Sequence, residues 1–135
     1  MATPYEKIYS RFLSRTTDFD LAELDDYTLS EMLKKWLYSA VVNVRTSTPL
    51  GARDDENEAF ENDLTDLDIE LLAMGMTMAW LDQSLNSTEL VRQFIGGKEE
   101  KYYSQANHIA ELRALREETR LEMKRLHSYN TYNNN

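Results

Sequence analysis

From Leu71 to Leu81 the only residues that are not apolar are Gly75 and Thr77. A stretch so uniformly apolar has no strand-like alternation and no polar stripe, so as a helix it must be contacted by neighbours on nearly every side. It is far shorter than the ~20 residues that span a bilayer. The rest of the chain gives it helical company. In 135 residues the only prolines are Pro4 and Pro49, and the only glycines are Gly51, Gly75, Gly96 and Gly97. That scarcity of turn residues argues for long helices over a turn-rich sheet protein. A chain of this length has room for one domain. The expected fold is therefore all-α: a single-domain bundle of four to five helices over residues 1–128, with the Leu67–Leu81 helix at its centre. A polar, flexible tail is expected over 129–135.

The expected helices have readable boundaries. Thr3 with Glu6 forms a capping box and Pro4 suits a first helical position, with Tyr5, Ile8, Tyr9 and Phe12 on one face. This helix is expected to end near Leu13 or Ser14. An acidic linker follows, in which Phe19, Leu21 and Leu24 dip towards the core. Thr28 with Glu31 opens a second helix, whose apolar positions from Leu29 to Val44 recur at three and four. The β-branched Val41, Val42 and Val44 make a strand the competing reading there. Residues 45–64 are a long connection. It carries either a short helix around Asn57–Phe60 or an arm that orders on a partner.

A third helix begins after Thr65, with Asp68 at capping distance, and is expected to stop near Ser84. Asn86 or Ser87 then caps a fourth to Ile95, ended by Gly96 and Gly97. The last helix is expected from Ser104 to His127, with Ile109, Leu112, Leu115, Thr119, Met123 and Leu126 as its apolar stripe. The expected core includes Trp36, Leu71, Met74, Gly75, Met78 and Trp80. Gly75 would cost roughly 1 kcal/mol of helix propensity, so it implies close helix approach or, as the lesser alternative, a functional kink.

Charge is unevenly distributed. The formal net charge is -9, against a surface that acts as a whole as a nucleic-acid footprint. Acids stand without bases from Asp18 to Glu31 and from Asp54 to Val91, whereas Gln105–His127 carries five bases against four acids. This fits either a solvated acidic surface or a polarised subunit whose acidic face meets a neighbour's basic one. Arg113, Arg116, Arg120 and Lys124 are the candidates for the basic side of a subunit contact. Like charges at Arg116–Arg120 and Arg120–Lys124 require acidic groups opposite them. Asp54, Asp55, Glu56 and Glu58 are candidates for the acidic counterpart or a partner-facing arm. Tyr129 and Tyr132 are candidate interface aromatics.

No catalytic, metal or cofactor site is expected. Lys98 follows Gly96-Gly97, but the spacing of a phosphate loop is missing and Glu99 stands where Ser or Thr belongs. His108 and His127 are the only histidines, and the chain has no cysteine to complete a zinc set. The run from His108 to Leu112 is H-I-A-E-L, not a metalloprotease motif. Glu56, Glu70 and Glu111 lack the di-iron pattern, and the acids at 54–58 lack the spacing and central glycine of an EF-hand. Ser10, Ser39 and Ser104 have no base at a diagnostic position, and Asn86-Ser87-Thr88 reads as a cap. Pro4, Tyr5 and Glu6 stand where a signal peptide needs a basic start and an apolar stretch.

The segment from Leu64 to Leu126, roughly the last half of the chain, resembles small structural proteins of tailed bacteriophages and prophages. The resemblance rests on Leu71-Leu72-Ala73-Met74-Gly75-Met76 leading to Trp80-Leu81, then Phe94-Ile95-Gly96-Gly97-Lys98. Tyr103-Ser104-Gln105-Ala106-Asn107-His108 and Glu111-Leu112-Arg113-Ala114-Leu115 complete it. It implies a head-completion or head–tail connector adaptor of the phage neck: a non-enzymatic virion protein, assembled in the host cytoplasm. Such adaptors are homo-oligomeric rings, often dodecamers, between the portal and the tail or stopper proteins. It further implies that the 46–63 loop and the terminal tail reach towards those partners, with no membrane and no sequence-specific nucleic acid involved. The alternative from charge alone is an acidic regulatory or DNA-mimic binding protein.

Overall fold

The computed structural model describes residues 2–16, 25–95 and 99–133, with side chains for 2–16, 25–87 and 107–129. The described residues form four helices and a minimal sheet: β1 (Thr3–Pro4), α1 (Tyr5–Arg15), α2 (Asp26–Asn43), β2 (Arg53–Asp54), β3 (Ala59–Phe60), α3 (Asp66–Ile95) and α4 (Glu99–Asn133). The fold is mostly α, as the sequence predicts. Among the described residues no helix is long and apolar enough to cross a membrane.

α3 is the central rod. It packs against α1, α2 and α4, and every residue from Leu71 to Thr77 is buried. Thr65 opens it: the amide of Asp68 donates to Thr65 Oγ1 at 3.1 Å, as the capping spacing predicts. Around the rod, Phe12 lies 5.5 Å from Trp36 and 6.4 Å from Trp80 between ring centroids, in tilted and edge-on contacts that aromatic pairs favour. The Trp36 indole N–H, buried with its ring, donates to Gln83 Oε1 at 3.0 Å. Trp36, Leu71, Met74, Gly75 and Trp80 are buried as expected. Met78 is only half-buried and lines a groove instead of the core.

Several boundaries differ from the sequence expectation. Thr3 does not cap α1. Its strand pairs antiparallel with β3, and its hydroxyl donates to the Asn62 carbonyl at 3.0 Å and accepts from the Leu64 amide at 2.9 Å. That ties the N-terminal strand to the approach of α3 and leaves Pro4 at the cap position. α2 starts at Asp26 rather than after Thr28, with Asp25 at its cap and no side-chain capping bond. The helix, not the competing strand, holds through Asn43. The linker residues 17–24 and Gly96–Lys98, on which a turn and a helix stop are expected, lie outside the described residues.

The 45–64 connection holds neither a helix at Asn57–Phe60 nor a detached arm. β2 and β3 form a hairpin whose edge accepts β1, giving the order β1-β3-β2. Asn86 and Ser87 do not start a new helix: α3 runs unbroken through them to Ile95, because both are exposed and no proline or glycine stands between Met76 and Ile95. α4 starts at Glu99, ahead of the expected Ser104, and continues through Tyr129 to Asn133, where a flexible tail is expected. No proline or glycine stands between Lys101 and Asn133 to stop it.

Candidate functional site: a cation-edged groove and an acidic hairpin

Two surface features are built on either side of α2. The first is a groove of about 530 Å³ where α2, α3 and α4 converge. Its floor is Gly75, Met78, Ala79 and Met123; Ser39 and Asn43 form the α2 wall, Asp82 the α3 edge, and Arg120, Lys124, His127 and Ser128 the α4 wall. The groove exists because Gly75 lets α2 sit directly on α3 while α4 contributes long side chains at the rim. Ile109, Leu112 and Thr119 are buried and Leu115, Met123 and Leu126 half-buried, so the expected stripe is the face α4 turns to α3.

The charges at the groove are partly neutralised within the chain. Arg116 Nε donates to Asp82 Oδ1 at 2.7 Å, which supplies an acid opposite the α4 cations as the like-charge spacing requires. Arg120 grips Glu117 one turn away through Nε at 2.9 Å and Nη2 at 2.6 Å. Those bonds hold the Glu117 carboxyl below the usual range. Lys124 is exposed and makes no ion pair among the described residues. His127 accepts the Arg45 amide at Nε2, at 3.2 Å, so its proton sits on Nδ1. Burial, then the positive charge of Arg45, pushes the imidazole below its ordinary value.

The second feature is the β2–β3 turn. Asp54 accepts from the Asn57 amide at 3.1 Å and its side-chain nitrogen at 2.7 Å, and these bonds lower its pKa. Asp55 accepts from the Tyr5 hydroxyl at 2.7 Å and the Tyr38 hydroxyl at 3.4 Å. Glu58 sits at φ 53°, accepts the Tyr5 amide at 2.8 Å through its carbonyl, and pairs its carboxylate with Lys34 at 2.8 Å. The Arg53 guanidinium lies over the Tyr38 ring, 5.6 Å from its centroid. The acidic segment is thus docked on α1 and α2, and of the four carboxylates only that of Glu56 is exposed with no hydrogen bond or ion pair among the described residues.

The structure therefore brings Arg120 and Lys124 to one groove and sets Arg116 beside it through Asp82. Arg113 is exposed on the same helix. Tyr129 is 58% exposed, while the Tyr132 side chain lies outside the described residues. Asn43 and Asp82 are groove residues that the sequence does not single out, while Ser39 and His127 stand out in it only as a nucleophile and a metal ligand without the partners either role needs. Among the described residues no three His, Cys, Asp or Glu side chains gather where a metal ion could be held. No known protein family matches the chain, and neither a characterised protein nor a solved structure does.

Proposed function

We propose that the chain is a non-enzymatic virion structural protein, a ring-forming adaptor between the portal and the tail of a tailed bacteriophage. The sequence resemblance over Leu64–Leu126 motivates the reading. The observation that carries it is an acidic, internally braced hairpin and a cation-edged groove on separate flanks of one helical bundle. Two dissimilar, oppositely biased patches on a rigid body are what a subunit needs to join unlike surfaces in a defined orientation. The function then lies in shape and charge rather than in chemistry, with portal and tail or stopper proteins as partners and the neck of the virion as its location.

The test is to mix the purified chain with portal rings and image the product by electron microscopy. An added ring density beneath the portal is the expected outcome; portal rings left bare across a range of protein ratios would refute the adaptor role. The second reading, an acidic regulatory or DNA-mimic protein, draws on the exposed Glu61, Asp63 and Asp66 that lead into α3. It predicts a monomer or dimer that competes with DNA for a basic protein and ignores the portal.

A further inference from the structure

We infer that the groove between α2, α3 and α4 receives the β2–β3 turn of a second copy of this chain, with Lys124 facing Glu56, so that copies join head to tail. This inference rests on the adaptor reading and names the contact through which its subunits would associate.

In a chain of net charge -9, identical copies repel one another, and association needs a local patch of opposite sign. The α4 rim of the groove provides it. Arg116 and Arg120 are already committed to Asp82 and Glu117, which leaves Lys124 as the groove cation with no ion pair among the described residues. On the hairpin, Asp54, Asp55 and Glu58 are likewise committed to Asn57, Tyr5 and Lys34. Glu56, at the tip, is left exposed. Each feature thus presents one charge with no ion-pair partner among the described residues.

Lys34 and Tyr38 face the hairpin, whereas Ser39 and Asn43 line the groove. At 100° per residue those two pairs lie roughly 140° apart around α2. The turn of one copy therefore lies on a different flank of α2 from its own groove. The contact between copies is heterologous, and it closes into a ring or extends as a filament according to the rotation it imposes. The hairpin is braced before docking, so little ordering cost opposes the contact. A groove of about 530 Å³ has room for a few side chains, and its Met78 and Met123 floor can adapt to the stems of whichever residues enter.

The chain has no cysteine, so engineered thiols report on this contact cleanly. The thiols are placed beside the charge pair, leaving Glu56 and Lys124 in place: Asn57 is the exposed neighbour of Glu56, and Ser128 lines the groove one turn from Lys124. Full-length Asn57→Cys protein is mixed with Ser128→Cys protein under mild oxidation, after circular dichroism has verified the helix content of each. An associated pair raises the effective thiol concentration, so the mixed disulfide should form roughly tenfold faster than one between Glu31→Cys and Ser128→Cys proteins. A chain carrying both Asn57→Cys and Ser128→Cys should give covalent multimers. Mixed disulfides no faster than that control, or a predominance of links between two copies of position 57, would overturn the proposal. Portal binding separates the two readings. A chain that docks on the portal without the hairpin-to-groove link loses the groove contact but remains an adaptor. A chain that forms the link yet ignores portal and tail proteins retains the contact and loses the adaptor role.

Discussion

Gly75 on α3 lies against the backbone of Ala40 on α2: a Cβ added to Gly75 would stand 2.8 Å from the Ala40 Cβ and 3.2 Å from its Cα. It would also stand 2.6 Å from Cγ2 of Val44. The glycine is a contact residue, not a kink, since α3 runs through it without a break. Gly75→Ala sets two effects against each other. Helix propensity improves by about 1 kcal/mol, while forcing a methyl into a closed interface costs about 1–3 kcal/mol. The Ala40 Cβ cannot rotate away, so the helices must separate and the second effect wins. Thermal unfolding should show a loss of about 1 kcal/mol, a fall in melting temperature of a few degrees. Adding Ala40→Gly should recover part of it. An unchanged or raised melting temperature for Gly75→Ala would contradict this packing.

Asp68 is the anchor of the 46–48 segment. It is buried, and its carboxylate accepts from the Ser47 amide at 2.8 Å, the Ser47 hydroxyl at 2.9 Å and the Thr48 amide at 3.2 Å. Burial alone would raise its pKa, but the bonds from Ser47, Thr48 and Thr65 outweigh burial and lower it. A carboxyl whose folded pKa is depressed stabilises the fold above its unfolded value, about 3.9, and loses that contribution as pH falls through the folded value. Asp68→Asn should therefore cost about 1.5–3 kcal/mol near neutrality and flatten the acid limb of the stability curve. Denaturant unfolding between pH 7 and pH 3 checks both, and an acid limb as steep as that of the parent chain would rule Asp68 out as its source.

The contrast between α3 and the hairpin shows what the sequence makes legible. The apolar run Leu71–Leu81 leaves a helix no face to expose, so the centre of the bundle follows from composition alone. Strands two residues long have no period to detect, and Thr3 and Asn62, which hold them together, are 59 positions apart. Helix ends are ambiguous for a different reason. Asn86-Ser87 satisfies a capping pattern, yet those side chains are tolerated in a helix interior when they face solvent, as here. The cations of the groove are visible as a charge pattern on one helix. The groove itself is not, because Asn43, Met78 and His127 come from three helices that only the tertiary fold brings together.

Tyr5 joins three parts of the molecule. Its ring packs edge-on against Phe60 at 5.0 Å, its amide holds Glu58, and its buried hydroxyl donates to Asp55. Burial and the Asp55 bond together raise its pKa, so the phenol stays protonated and remains a donor throughout the physiological range. Tyr5→Phe keeps the ring and removes the donor. The expected cost is about 1–2 kcal/mol, felt mainly in the hairpin, where Tyr38 at 3.4 Å is the remaining partner of the Asp55 carboxylate among the described residues. Amide hydrogen exchange should speed up over 53–60 and stay unchanged in the Leu71–Thr77 core. Equal protection of the hairpin in both proteins would show that the hydroxyl does not brace it.

His127 links the last turns of α4 to the chain leaving α2, through the bond its Nε2 accepts from the Arg45 amide. Protonation would turn that acceptor into a donor and place a further positive charge beside Arg45, Lys124 and Arg120, with Asp82 the acid on the same groove. The pKa is accordingly lowered, first by burial and then by Arg45. For a base with a depressed folded pKa, the stabilisation is complete above the unfolded value of about 6.5 and declines as pH falls below it, until the folded group also titrates. Melting temperatures should therefore drop between pH 7.5 and pH 5.5 in the parent chain and less so in His127→Gln. The amide of that glutamine keeps an acceptor but cannot ionise. A parent and a His127→Gln variant with identical profiles would mean that the imidazole is not responsible for it.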